Sequence, residues 1–250
     1  MVQVACGIDI GGSGVKGALV DLETGEYIGD QIRIPTPNPA TPEAVATVCR
    51  EVIDQLDVKI GVPIGVTFPA PVFNGVIPYM AELGQSWVNV DVDALMERHL
   101  GRAVVALNDA DAAGIAEVAY GAAKGRGGVI VFTTQGTGIG SAIIVNGTLL
   151  TNTELGHLEI DGTDAEKNAS SGQKTLQGLN WEQWAQRLQR YYSHVEFLLN
   201  PDLFVVGGGV SENHEKFMPL LDLKTPMIPA KLRNTAGIVG AAYYAAQHSA

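Results

Sequence analysis

Two stretches of this chain, one starting at Val2 and the other at Val129, follow the same plan: three short strand-like runs joined by tight turns, then alternating helical and strand-like segments. A repeated order of this kind commits the chain to two similar α/β halves, each of which must bury its own sheet. In the first half, residues 2–9, 15–21 and 27–34 have the apolar runs and alternation of strands. Thr41-Pro42 is a helix start, with Thr as N-cap and Pro at the first helical position. Residues 60–68 are strand-like, 91–100 helical, and 103–107 a strand that runs into Asn108-Asp109 and an alanine-rich helix ending near Tyr120. In the second half, strands are expected at 129–134, 139–145 and 148–150, and a helix at 181–199. Along that helix Trp184, Leu188, Tyr191, Val195 and Leu198 recur at core spacing. A strand at 203–206 ends in Gly207-Gly208-Gly209, a turn expected to lead into a helix, and residues 235–247 form a closing helix. The expected boundaries are a smaller lobe over 1–109, a larger lobe over 110–235, and a last segment, 236–250, that packs back on the first. Two lobes with a cleft between them follow from this order.

Composition narrows the classes. With 250 residues, 46% hydrophobic and 17% charged, the chain has ample material for a core. Two cysteines, Cys6 and Cys49, are too few for a disulfide framework or a metal quartet and are expected as buried thiols. The first apolar run is broken at Asp9, so no signal peptide is expected, and no apolar run approaches the ~20 residues of a membrane span. The expected setting is the cytoplasm, with no membrane partner. A net charge of −11 argues against general nucleic-acid binding, while leaving room for one local basic groove.

The chemistry sits at the turns. Gly12, Gly14 and Gly17 satisfy the dinucleotide spacing G-x-G-x-x-G, but that motif needs a helix next, and VKGALVDL is strand-like instead. A glycine hairpin between two antiparallel strands presents backbone N–H groups to a phosphate. Gly11, Gly12, Ser13 and Gly14 would form that nest, Lys16 would supply charge, and Asp9 would hold a metal ion through water. The alternative is a tight turn with nothing bound. The second half repeats the device at Thr133-Thr134-Gln135-Gly136-Thr137-Gly138, again between strands, so Gly136, Thr137 and Gly138 become the second jaw on one phosphate chain. Gly208 and Gly209, after a strand, are a third phosphate candidate. Asp109, at a strand's end, is placed to take a proton from a hydroxyl that attacks phosphorus, with Asp111 as the competing choice and a helix N-cap as the structural alternative. Glu154-Leu-Gly-His157-Leu-Glu159 groups carboxylates with an imidazole, the donors and acceptors that a hydroxyl-rich sugar requires.

Taken in order, GIDIGGSGVKGALVD, NDADAAG, TTQGTGIGSA, ELGHLEIDG, VVGGGVSEN and NTAGIVGAA resemble the ROK family of sugar kinases, nearly end to end, and most closely its polyphosphate-using branch. The resemblance implies an actin-like (ribonuclease H-like) ATPase fold, a homodimer, and Mg²⁺-dependent transfer from polyphosphate and/or ATP to the 6-hydroxyl of glucose, with mannose as a second candidate sugar. It places Asp109 as general base and Asn108, Glu154, His157 and Glu166 on the sugar. Three departures stand out. No cysteine follows His157 where most of the family has a zinc loop, so no zinc site is expected and His157 is left to the sugar. Gln135 stands where a leucine or phenylalanine is usual, and Ala70 follows Pro69 where glycine is common.

Two other outcomes are a strictly ATP-dependent glucokinase and a non-catalytic sugar-binding regulator. The family's repressors carry a helix-turn-helix ahead of the first phosphate motif, and none is expected where the first strand begins at about residue 2. A regulator would have no need of Asp9, Asp109 and both jaws. A polyanionic donor requires a cationic track on an acidic protein, and the candidates are Lys16, Lys124, Arg126, Lys167 and Lys174.

Overall fold

The computed structural model describes residues 3–248; Val2, expected in the first strand, and residues 249–250 of the last segment lie outside them. The chain divides into two compact units, residues 1–116 with 235–250, and residues 117–234.

In the first unit, β1 (Val4–Gly11), β2 (Gly14–Asp21) and β3 (Tyr27–Ile34) form an antiparallel meander. They are followed by α1 (Pro42–Gln55), β4 (Ile64–Phe68), α2 (Val92–Leu100), β5 (Val105–Asn108) and α3 (Asp109–Ala119). The sheet order is β3-β2-β1-β4-β5, with β4 and β5 parallel to β1. In the second unit, β6 (Val129–Gln135), β7 (Ile139–Val145) and β8 (Thr148–Leu150) repeat the meander. A small hairpin, β9 (Glu159–Ile160) with β10 (Thr163–Asp164), and two short helices, α4 (Glu166–Ala169) and α5 (Ser171–Leu176), lead to α6 (Trp181–Leu199). The unit closes with β11 (Leu203–Gly207) and β12 (Met227–Pro229), in the order β12-β11-β6-β7-β8, the first sheet's order read from the other edge. The chain then re-enters the first unit as α7 (Ala236–His248). Among the described residues no helix is long and apolar enough to cross a membrane.

Period-two alternation divides the work of the central strand β1. Cys6, Ile8 and Ile10 face a core shared with Val45, Cys49 and Val52 of α1 and Leu95 and Met96 of α2. Burial pushes the thiols of Cys6 and Cys49 up to about 12, so both are inert core groups. The other face of β1 carries Gly7 and Asp9, and lies directly under α7. A Cβ on Gly7 would sit 1.9 Å from the Ile238 carbonyl oxygen, and one on Gly65 of β4 would sit 2.0 Å from that of Ala241. The helix therefore rests on bare backbone. In the second unit Val131, Phe204 and Val206 pack against Trp184, Leu188, Tyr191, Tyr192 and Val195 of α6. This helix starts in a capping box between Asn180 and Gln183 and ends on Asn200 in the left-handed region.

Three local expectations change, and one strand was not expected. The strand expected from residue 60 starts at Ile64, because residues 60–63 form a turn that leaves Ile60 95% exposed. Leu198, assigned to the core stripe, is 49% exposed: it lies in the last turn of α6, beyond Val195, where the buried part of the stripe ends. The segment after Gly207-Gly208-Gly209 is a 3-10 helix (Gly209–Lys216) with non-helical backbone at Asn213, not an α-helix. The parallel edge strand β12 has only three residues and no alternation long enough to announce it.

The seat of α7 generates a test. Gly65→Ala forces backbone against backbone, and is expected to cost about 1–3 kcal/mol, the range for overpacking a tight interior. Gly127→Ala meets only ordinary van der Waals contact, 3.6 Å from the Asn146 side chain, and should stay within about 0.5 kcal/mol of the parent. Urea unfolding of both variants checks the contrast.

Candidate functional site

In the first unit the candidate groups are organised by strand register. Asp9 pairs across the ladder with Lys16 on one side and Thr67 on the other, so three side chains on one sheet face meet. Thr67 Oγ1 donates to Asp9 Oδ1 at 2.9 Å, and Lys16 Nζ lies 3.4 Å from Asp9 Oδ2. Gly237, at the start of α7, brings that helix's N-terminus against the same carboxylate, where the helix dipole favours negative charge. The turn at Gly12 and Ser13 is exposed. Its flanking carbonyls are tied back: Thr36 Oγ1 donates to the Gly11 carbonyl at 2.5 Å, and Arg33 Nη2 to that of Ser13 at 3.1 Å. The Arg33 guanidinium lies against Gly14, 3.0 Å from where a Cβ would stand. A second cation besides Lys16 thus reaches this turn. The alternation of residues 27–34 gave no sign of this contact.

Asn108 and Asp109 fall at the junction of β5 and α3. The Asn108 side-chain oxygen accepts the backbone N–H groups of Ala110 and Asp111, so it caps α3 and leaves its carboxamide donor end for other work. Asp109 is partly exposed, whereas Asp111, two residues further along the first turn of α3, is 1% exposed. Ala70, in place of the usual glycine, turns its methyl into the first unit's core at 4% exposure.

In the second unit, the E-x-G-H segment is built onto the second glycine hairpin. Leu155–His157 forms a 3-10 turn, and its Gly156 lies so close to β7 that a Cβ would come within 2.1 Å of the Ile139 carbonyl oxygen. Ser141 Oγ donates to the Thr153 carbonyl at 2.7 Å and accepts the Leu155 N–H at 2.9 Å. Glu166, at the first position of α4, accepts the Ile139 N–H at 3.1 Å through Oε2, and its Oε1 lies 4.0 Å from His157 Nδ1. One carboxylate therefore touches both the hairpin and the imidazole. The Gly136 carbonyl accepts Ser171 Oγ and the Gly172 N–H, docking α5 on the hairpin. On its other side lies Gly208, whose backbone abuts that of Gln135. The hairpin of residues 136–138 and the turn at Gly208 and Gly209 are thus neighbours within one unit.

Gln135 itself points inward. It is fully buried on the α6 side of β6, donating from Nε2 to Tyr192 Oη at 3.3 Å, while Thr133 Oγ1 lies 2.7 Å from the same oxygen. The substitution at this position alters the core beneath the hairpin and not the surface of the hairpin.

Asp164 is the group that sequence reasoning missed. Its Oδ2 lies 3.0 Å from His157 Nδ1, and the β9–β10 register sets it opposite Glu159. Glu159 is exposed and makes no side-chain bond to this group. Only the pairing of two two-residue strands brings Asp164 to the imidazole, and such strands carry no periodicity. His157, Asp164 and Glu166 have ligand atoms within 4.8 Å of one another, which among the described residues is the one grouping with metal-ligand spacing. Two of its positions are already engaged, since Asp164 accepts from His157 and Glu166 from Ile139. No thiol is within the group.

Doubled β3-β2-β1-β4-β5 sheets, glycine hairpins at matching positions and a carboxylate–imidazole cluster are the parts of an actin-like phosphotransferase fold. The ROK family model matches residues 5–178, and the chain belongs to that family. A polyphosphate glucokinase of Mycobacterium tuberculosis (strain CDC 1551 / Oshkosh) is 48% identical over 237 residues, covering 94% of this chain and 89% of that protein. The crystal structure of the inorganic polyphosphate/ATP-glucomannokinase of Arthrobacter sp. strain KM superposes with a TM-score of 0.91 at 51% identity, covering 98% of this chain and 100% of that one. A ROK family glucokinase from Streptomyces griseus, solved with glucose and AMPPNP, shares the fold at a TM-score of 0.80 and 22% identity, over 98% of this chain and 99% of that one.

Electrostatics around His157 yield a pH test. Partial burial favours the neutral imidazole, but the hydrogen bond to Asp164 and the charges of Glu166, Asp164 and Glu154 favour the imidazolium and prevail, so the pKa is raised. A raised value means stabilisation that is complete below about pH 6.5 and fades as pH rises through the folded value. Asp164→Asn is expected to lower the His157 midpoint, read by NMR titration of the imidazole. The deficit in Tm against the parent should be largest between about pH 5 and 6.5 and shrink above neutrality. An unchanged midpoint would show that Asp164 does not hold the ring.

Proposed function

We propose that the chain transfers the terminal phosphoryl group of inorganic polyphosphate or ATP to the 6-hydroxyl of glucose, with mannose as a second acceptor. The observation that carries this is Glu166. Its carboxylate joins the second glycine hairpin, suited to phosphate, to an imidazole–carboxylate cluster suited to sugar hydroxyls. The likeness to the polyphosphate glucokinase of M. tuberculosis, at 48% identity, supports the same conclusion.

Asp109 is the general base. It is the carboxylate at the β5–α3 junction that retains solvent exposure, while Asp111 is buried and suited to a structural role. Asn108, held by its cap, offers a donor to the sugar, and Glu154, His157 and Glu166 accept or donate at other hydroxyls. With Nδ1–H committed to Asp164, His157 presents Nε2, and its partner fixes which ring face does so. Gly11, Gly12, Ser13, Gly14 and Lys16 in the first unit, and Gly136, Thr137, Gly138, Gly208 and Gly209 in the second, hold the donor phosphates. Asp9 would hold Mg²⁺ through water. The hard oxygens of Asp9 and Thr67 suit an ion that keeps most of its hydration shell, and the ion when bound would offset charge on the donor phosphates. The enzyme works as a cytoplasmic homodimer and carries no zinc at His157.

Asp109→Asn should leave glucose binding nearly intact, by calorimetry, and lower kcat by roughly 10²–10⁴-fold, the scale of general-base catalysis. Asp111→Asn should instead appear as a lower Tm. A fully active Asp109→Asn beside an inactive, well-folded Asp111→Asn would reverse the assignment. Donor use is read by glucose 6-phosphate formation with each donor alone: activity with ATP and none with polyphosphate would identify a strictly ATP-dependent glucokinase. Stoichiometric zinc in the purified protein, or activity after exhaustive EDTA treatment, would overturn the metal assignments.

A further inference from the structure

The second unit gathers two lysines that lie far apart in sequence onto one aromatic ring. Lys174 Nζ sits 4.1 Å from the centre of the Trp181 ring, and Lys216 Nζ 5.4 Å from it. The ring is a fixed platform. Trp181 opens α6 beside its Asn180–Gln183 capping box, stacks on Phe217 at 6.2 Å with 14° between planes, and meets Trp184 edge-on at 5.9 Å. Each lysine is also connected to a phosphate-type turn. Lys174 lies on α5, whose first residues are docked on the Gly136 carbonyl, and Lys216 ends the 3-10 segment that begins at Gly209. The two turns themselves touch through Gly208 and Gln135.

Charge makes the arrangement unusual. In a chain of net charge −11, two ammonium groups share one indole, and among the described residues neither forms an ion pair, although Glu182 and Glu215 adjoin Trp181 and Lys216 in sequence. A cation over an indole face is favourable, but two cations held at one ring repel each other, and an anion that binds both relieves that repulsion. We propose that Lys174, Trp181 and Lys216 form an outer station for a linear polyanion, receiving polyphosphate residues that extend beyond the glycine turns. This rests on the polyphosphate-dependent reading above, and names which part of the surface handles the length of that donor. ATP, whose phosphates end at the turns, has no use for it. Of the cations expected to line a track, Lys174 belongs to this station, whereas Lys124 lies over a different ring, 5.9 Å from the centre of Tyr120.

The platform supplies its own reporter. Trp87 and Trp184 are fully buried, and Trp181 is the tryptophan with solvent access. Long-chain polyphosphate, titrated into the intact protein without glucose, should change tryptophan emission, tripolyphosphate should do so far less, and Trp181→Phe should abolish the change. The binding should weaken with added salt, as expected for exposed charges screened over roughly 8–10 Å. In kinetics, Lys174→Ala with Lys216→Ala should raise KM for long-chain polyphosphate about tenfold, the loss expected for two exposed charge contacts, and move KM for ATP less than about twofold. The paired Lys→Arg variants, which keep charge and ring contact, should restore the parent value and guard against a folding defect. Equal rises with both donors, or no rise with polyphosphate, would overturn the station. If the parent enzyme transfers nothing from polyphosphate, the donor assignment falls. The station then stands only if polyphosphate still perturbs Trp181 at low salt, and falls with it otherwise.

Discussion

The first unit depends on α7 lying on naked backbone. Gly7 in β1, Gly65 in β4 and Gly240 in the helix itself each leave no space for a Cβ, the last against the Ala112 carbonyl of α3. Interiors are packed as densely as organic crystals, so a methyl at any of these points displaces the helix and not merely a side chain. The consequence reaches the chemistry. The strand face that carries Gly7 also carries Asp9, and the seat of the helix brings its N-terminus to that carboxylate at Gly237. Register then adds Lys16 and Thr67 to the same face. One packing constraint therefore sets the surroundings of the group proposed for the metal.

The second unit solves a related problem with the same means. Gly156 against Ile139, Gly138 against Glu166 and Gly172 against Thr137 let three segments converge on one hairpin. Glu166 sits where they meet, hydrogen-bonded to the hairpin and facing His157. The fully buried Gln135 and its tyrosine partner underlie the hairpin from the core side, so the identity of this residue bears on the hairpin's support and not on its lining.

Charge is distributed against the average. An acidic chain that handles a polyanion must place its few cations with care, and here Arg33 and Lys16 attend the first turn while Lys174 and Lys216 attend the second unit's turns. Of the carboxylates with proposed roles, Asp9 pairs with Lys16, and the others are Asp109 and the group around His157. The remaining acidic surface repels the phosphates of nucleic acid and discourages non-specific association with it, as the composition alone implies.

Much of this was legible in the sequence because it is local or repeated. The doubled meander announced two like sheets, Thr41-Pro42 announced a helix start, and the glycine hairpins were recognisable from the strand that follows each of them. Asp9, Asp109, Glu154 and His157 were singled out by type and spacing, and Asn108 and Glu166 by the family resemblance. What remained hidden was decided by pairing between distant segments. Asp164 reaches His157 only through a two-residue strand pair, Arg33 reaches Ser13 across twenty residues, and Lys216 meets Lys174 only after α5, α6 and the 3-10 segment have folded. Where residues 60–63 and Leu198 departed from expectation, apolar character had been taken for burial, and exposure is a property of the packed unit. The sequence by itself determined the two meanders, the turns and the chemical groups, because periodicity and glycine placement are local properties of the chain. The tertiary structure alone decided which partner each group received, because contacts across dozens of residues depend on how the elements pack and leave no periodic trace.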